Sequence, residues 1–124
     1  MIRASLVVLL LLMACNRDKV EPPAPPAPVA AGNAERGRIL AEQYGCNVCH
    51  VFPGIDGLQG SLGPSLAGIA TRPTITTAAV PNTPANLTQF IQNPASINPQ
   101  SAMPPMGLMG NDPQDIVAFL MTLR

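Results

Sequence analysis

The chain has 124 residues, enough for one domain with accessory segments, and 47% of them are hydrophobic. From Ala34 onward four arginines (Arg36, Arg38, Arg72, Arg124) stand against five acids (Glu35, Glu42, Asp56, Asp112, Asp115), a net charge of −1 with no lysine. Neutralising a phosphate backbone needs a basic face, so nucleic-acid binding is disfavoured.

Much of the apolar content sits at the N-terminus, where Ala4 to Ala14 reads ASLVVLLLLMA behind Arg3. That run is 11 residues, and a bilayer span needs ~20. A short apolar run after a basic residue, ending in small residues, reads as a secretory signal over residues 1–14. Leu12-Met13-Ala14-Cys15 resembles a bacterial lipoprotein box. The resemblance implies a diacylglyceryl group on the Cys15 thiol, cleavage before it, and a mature chain anchored by lipid in a bacterial cell envelope, facing the periplasm or the outer surface of the cytoplasmic membrane. With Cys15 on lipid, Cys46 and Cys49 are the only thiols left, and no cysteine remains for a separate disulfide.

Residues 15–33 then read as a tether. Five prolines lie between positions 22 and 28, where they remove backbone donors and favour an extended, polyproline-like chain. At ~3.1 Å per residue such a segment reaches on the order of 50 Å.

From Ala34 the pattern becomes helical. Asn33 is placed to cap a helix running to about Tyr44, with Ile39, Leu40 and Tyr44 on its apolar side. Gly37 inside it costs up to ~1 kcal/mol against alanine, which implies close approach by another helix. Residues 53–64 are too glycine-rich for regular structure, and a short helix is expected over Ser65 to Thr71. After a loop over 72–82, Thr83 caps a helix with Pro84 in its first turn and Leu87, Phe90 and Ile91 on one face; Pro94 ends it. A methionine-rich loop spans 95–111. A last helix is expected from an Asp112 cap and Pro113, with Ile116, Phe119, Leu120 and Leu123 at i, i+3, i+4 and i+7. No segment reads as a strand. The acids read as helix-end or solvated charges, and the apolar core is thin for so many loops.

The chemistry sits in Cys46-Asn47-Val48-Cys49-His50, which holds the chain's one histidine. Cys-x-x-Cys-His is the attachment signature of haem c: the two thiols add across the vinyl groups, and the histidine behind them reaches the iron. A thioredoxin-like pair would need a βαβ pattern, absent here. A zinc site needs four ligands, and the mature domain has two cysteines and one histidine for it. One covalent haem would also fill the thin core.

From Ala34 to Arg124 the chain resembles a class I c-type cytochrome. Besides the cysteine word, Gly63-Pro64-Ser65-Leu66 is similar to that family's Gly-Pro-x-Leu, and AMPPM is similar to its Met-Pro. The resemblance implies an all-α fold over 34–124, three to four short helices and long loops around one haem c. It implies His50 and Met103 as axial ligands, the Pro64 carbonyl accepting from the histidine Nδ1, and Leu66 packed on the haem. Met106 and Met109 compete with Met103, which stands before proline in the family's position. Phe90 stands where many relatives have tryptophan.

Iron saturated by histidine and thioether carries single electrons and has no open position for substrate. The expected function is therefore a membrane-tethered electron carrier rather than an enzyme, with redox proteins as partners, a terminal oxidase foremost. The alternatives are a gas-binding or peroxidatic haem domain with a labile methionine, or the electron-transfer subunit of a dehydrogenase. With no lysine ring, docking is expected to use apolar surface and to depend weakly on salt.

Overall fold

The computed structural model describes residues 31–77 and 79–124. The signal over 1–14, the lipidation at Cys15 and nearly all of the tether lie outside the described residues. The described elements are α1 (Ala34–Gln43), α2 (Cys46–Cys49), a 3-10 turn (Ile69–Thr71), α3 (Pro84–Gln92), α4 (Pro94–Ile97) and α5 (Asp112–Leu120). Among the described residues extended pairing is limited to an isolated antiparallel bridge between Thr74 and Pro81. The all-α expectation holds, with two single-turn helices, α2 and α4, that periodicity did not reveal.

The caps of α1 and α3 form as their sequences dictate. Asn33 Oδ1 accepts from the Arg36 N–H at 2.9 Å, and Thr83 Oγ1 accepts from the Asn86 N–H at 3.2 Å. Pro94 does not simply stop α3. Asn93 closes that helix, and Pro94 opens α4 at a position where its missing N–H is not needed. The helix expected over 65–71 shrinks to the 3-10 turn because Gly68 takes a left-handed conformation, φ 68°.

The frame is the crossing of α1 over α5. A Cβ on Gly37 would lie 1.8 Å from the Asp115 carbonyl oxygen, so the two backbones touch where Gly37 has no side chain. Leu40 and Ala41 are buried there, while Ile39, expected on the apolar side, is 43% exposed. Gly37→Ala should destabilise the haem-loaded protein by roughly 1–3 kcal/mol, because overpacking outweighs the gain in helix propensity. Denaturant unfolding checks this: an unchanged midpoint would mean the crossing opens at no cost.

Polar groups clasp the same crossing. Arg36 donates to both Asp112 and Asp115. Tyr44 donates its hydroxyl to Asp112 at 2.7 Å, and the Asn33 N–H donates to Asp115 Oδ1 at 2.7 Å. This corrects two sequence readings. Asp115 is not a solvated charge: only 6% of it is exposed. Asp112 does not cap α5; the cap residue is Asn111 and makes no side-chain bond, because the Asp112 carboxylate is engaged by Tyr44 and Arg36. Both carboxylates still lie in the first turn of α5, where the helix dipole favours them.

The Tyr44 hydroxyl and then the Arg36 guanidinium hold the Asp112 carboxyl below its ordinary value of 3.8. A depressed folded-state pKa contributes stability that is fully present above the unfolded value and is lost as pH falls through the folded one. Acid should therefore weaken the fold below about pH 4, and Asp112→Asn should flatten that decline. Equal low-pH slopes in thermal melts of the two proteins would show that the clasp is not the titrating element.

The core behind the crossing comprises Leu40, Phe52, Leu66, Ile69, Leu87, Ile91, Ile116, Phe119, Leu120 and their neighbours. Phe52 and Phe119 stack with centroids 6.1 Å apart. Leu87, Ile91, Ile116 and Leu120 also form one wall of a large cavity.

Candidate haem site

The cavity measures about 590 Å³ and its lining is mostly apolar, within the range of roughly 300–1,000 Å³ typical of cofactor pockets. One side is the cysteine segment. Gly45, φ 70°, ends the α1 turn, and α2 places Cys46 and Cys49 on the cavity wall with His50 just behind. Opposite are α3 with Leu87, Phe90 and Ile91, and the loop after α4 with Met103 and Met106.

The two cysteines are not joined to each other. Burial pushes the Cys46 thiol up to about 11, which keeps it protonated, unlike the lowered thiol of a dithiol oxidoreductase. Among the described residues no three His, Cys, Asp or Glu side chains converge as a metal cage.

His50 is held by two features. Its Nδ1 lies 2.8 Å from the Pro64 carbonyl oxygen. A carbonyl only accepts, so Nδ1 carries the proton and donates, which leaves the Nε2 lone pair available to a metal. A Cβ on Gly63 would fall 2.3 Å from the His50 ring, so a glycine is required for this approach. The loop is pinned along the cysteine segment by backbone bonds of 2.8 Å, Gly60 N–H to Asn47 O, Gly63 N–H to Cys49 O and Leu66 N–H to Val51 O. Leu66 is buried and lines the cavity.

The methionines separate. Met103 lines the cavity and packs against the core; Met106 also lines the cavity; Met109 is 73% exposed and lies off the wall. The Met103 N–H donates to Ser101 Oγ at 3.2 Å. The sequence reading missed Arg72, a cation on the cavity wall whose guanidinium donates to the Ser65 and Ala67 carbonyls. It also missed Gln59, whose amide bonds Phe52 and Ile55 and braces the glycine loop. Neither carries a local motif that would have revealed it.

An apolar cavity of this size, with two thiols three residues apart and an imidazole held with Nε2 available, fits a covalent haem c. The fold and the site thus define a small all-α haem protein. A family model described as Cytochrome c matches residues 34–124, and the chain belongs to that family, as a class I c-type cytochrome with one covalently attached haem c. Solved structures share the fold. Ferric cytochrome c-550 from Paracoccus versutus is 21% identical, with 74% of this chain and 98% of that chain covered and a TM-score of 0.52. Cytochrome c2 from Rhodobacter sphaeroides is 20% identical, with coverage of 74% and 96% and a TM-score of 0.54. Cytochrome c2 from Paracoccus denitrificans is 21% identical, with coverage of 73% and 95% and a TM-score of 0.52. Among curated protein sequences, none matches the chain.

Proposed function

We propose that this chain is a membrane-tethered monohaem cytochrome c that carries single electrons between respiratory partners, towards a terminal oxidase, and is not an enzyme. The observation that carries this reading is the meeting of Cys46, Cys49, His50 and Met103 around one apolar cavity, with the His50 tautomer set by Pro64. Bound there, the haem supplies a one-electron iron couple.

The rest is done by the chain. Cys46 and Cys49 hold the group covalently. His50 offers Nε2 to the iron, and its bond to the Pro64 carbonyl raises the basicity of that nitrogen. Met103 offers a soft thioether, which favours the reduced iron. Leu66, Leu87, Ile91, Ile116 and Leu120 keep water from the ring. With His50 and Met103 both bound to the iron, no position on it would be open for substrate.

Absorption spectra of the haem-loaded chain, oxidised and reduced, with and without carbon monoxide, test the reading. A low-spin spectrum indifferent to carbon monoxide supports the carrier. A high-spin iron that binds carbon monoxide would move the protein to the gas-binding or peroxidatic class.

The tether rests on Leu12-Met13-Ala14-Cys15 and the proline segment. No helix among the described residues is long and apolar enough to cross a membrane. A lipid at Cys15 would hold the domain at the surface while the linker lets it swing, making each encounter a matter of local concentration. Cys15→Ser should release the haem-loaded protein from the membrane fraction; retention there would reject the lipid anchor.

A further inference from the structure

A second groove, about 250 Å³, runs between α3 and α5, with Thr88 from one helix and Gln114, Val117 and Ala118 from the other. α3 turns Leu87 and Ile91 to the haem cavity and Thr88 to this groove; α5 turns Ile116 and Leu120 to the cavity and Val117 and Ala118 to the groove. The helix pair therefore stands between the two. The groove falls below the roughly 300–1,000 Å³ of small-molecule sites, and no charged residue lines it. Two of its lining residues carry buried polar atoms without partners. The Thr88 hydroxyl oxygen and the Gln114 side-chain oxygen have no hydrogen bond among the described residues, and Thr88 is only 7% exposed. Buried polar groups are nearly always paired, so the groove has a place for a backbone that offers both a donor and an acceptor.

The chain itself arrives at this groove, for Ala31 and Gly32 line it. A Cβ on Gly32 would lie 2.1 Å from the Gln114 carbonyl oxygen, so the backbone rests on the first turn of α5. The next N–H, that of Asn33, donates to Asp115 Oδ1 at 2.7 Å. The entry into α1 is thus fixed against α5, and whatever precedes Ala31 starts from the groove. The preceding sequence has matching chemistry. Pro22 to Ala30 reads PPAPPAPVA, uncharged, with Val29 its one side chain larger than proline. Its five prolines offer carbonyls and no N–H, which suits the Thr88 hydroxyl as donor. The Ala30 and Val29 N–H groups are the first donors upstream of Ala31, which suits the Gln114 oxygen as acceptor.

We propose that Pro28, Val29 and Ala30 of this same chain occupy the groove. Val29 packs against Val117 and Ala118, an N–H of the segment donates to Gln114 Oε1, and the Thr88 hydroxyl donates to a carbonyl of the proline run. Covalent continuity at Ala31 gives this segment a local concentration that a separate molecule lacks. The tether is then seated on the side of α3 and α5 away from the haem, and its free length ends at Ala27 rather than at Gly32. The seat fixes which way the haem faces relative to the N-terminal end of the chain, and it leaves the cavity and the potential untouched. It holds whether or not Cys15 carries lipid.

Amide hydrogen exchange, read by nuclear magnetic resonance on the haem-loaded chain, tests this. After correction for intrinsic rates, Val29 and Ala30 should exchange about tenfold more slowly than Ala24 and Ala27. Val29→Asp leaves every described residue unchanged and should return Ala30 to the rate of Ala24, since a lost valine contact and a carboxylate in an uncharged groove together outweigh a roughly tenfold preference. Thr88→Val should weaken the protection several-fold through the lost hydrogen bond. The absorption spectrum and the potential should stay unchanged in both variants. Equal rates at the four amides of the wild type would overturn the proposal. So would protection of Ala30 that survives Val29→Asp. Protection that vanishes on dilution would give the groove to a second copy instead. A Thr88→Val chain that melts at a higher temperature with unchanged exchange would show that the hydroxyl has no partner and that the tether does not reach it.

Discussion

A chain carrying Cys46→Ser and Cys49→Ser, unable to attach haem, is expected to show no cooperative thermal transition. The reason is the size of the cavity. At roughly 24 cal/mol per Å³, a dry void of 590 Å³ would cost on the order of 14 kcal/mol. That upper bound matches the whole stability of a small domain, about 5–15 kcal/mol. Water entering the cavity would relieve the void but wet Leu66, Leu87, Phe90, Ile91, Ile116 and Leu120 together, which forfeits the same apolar burial. What should persist is partial helicity from α1 and α5, whose contact relies on Gly37 and the Arg36 clasp rather than on the cavity wall. Circular dichroism melts of the haem-free variant decide the matter. A sharp transition at a temperature near that of the haem-loaded protein would show that the core is self-sufficient.

Met103→Ala is expected to convert the iron to a high-spin, carbon monoxide-binding form and to lower the potential by on the order of hundreds of millivolts, because the thioether that favours reduced iron is gone. Met106→Ala should leave spectrum and potential close to wild type. The contrast follows from placement. Both residues line the cavity, but Met103 also packs against the core, which restrains its position. Spectra and redox titration of the two variants separate the possibilities. If Met106→Ala opens the iron and Met103→Ala does not, the axial role passes to Met106. If neither does, the sixth ligand lies outside the methionine loop.

Much of this protein is written in short-range signals. Asn33 and Thr83 cap their helices because a side-chain oxygen three residues ahead of a free N–H needs nothing else to act. Ile116, Phe119 and Leu120 are buried because their spacing puts them on one side of α5, while Leu123, expected on the same face, is buried just beyond the end of that helix. Cys46, Cys49 and His50 announce the cofactor because thiol spacing and the adjacent imidazole are matched to the haem itself, whatever the surrounding fold. The Pro64 bond to His50 came from family resemblance, and the 2.8 Å contact now gives it a geometric basis.

Other features depended on residues far apart in the chain. Single-turn helices such as α2 and α4 span too few residues to show a period, and only their surroundings stabilise them. Arg36 meets Asp112 and Asp115 across 76 and 79 positions, so nothing local distinguishes those acids from solvated ones. Gly60 and Gly63 read as mere loop formers until their backbones lie against the cysteine turn and the His50 ring. Sequence alone thus determined the cofactor, its attachment points and the helical class, because covalent spacing and hydrogen-bond caps are local chemistry. Tertiary structure decided the clasp, the placement of the methionines and the apolar lining of the cavity, because each is made by close packing between segments that the chain order keeps apart.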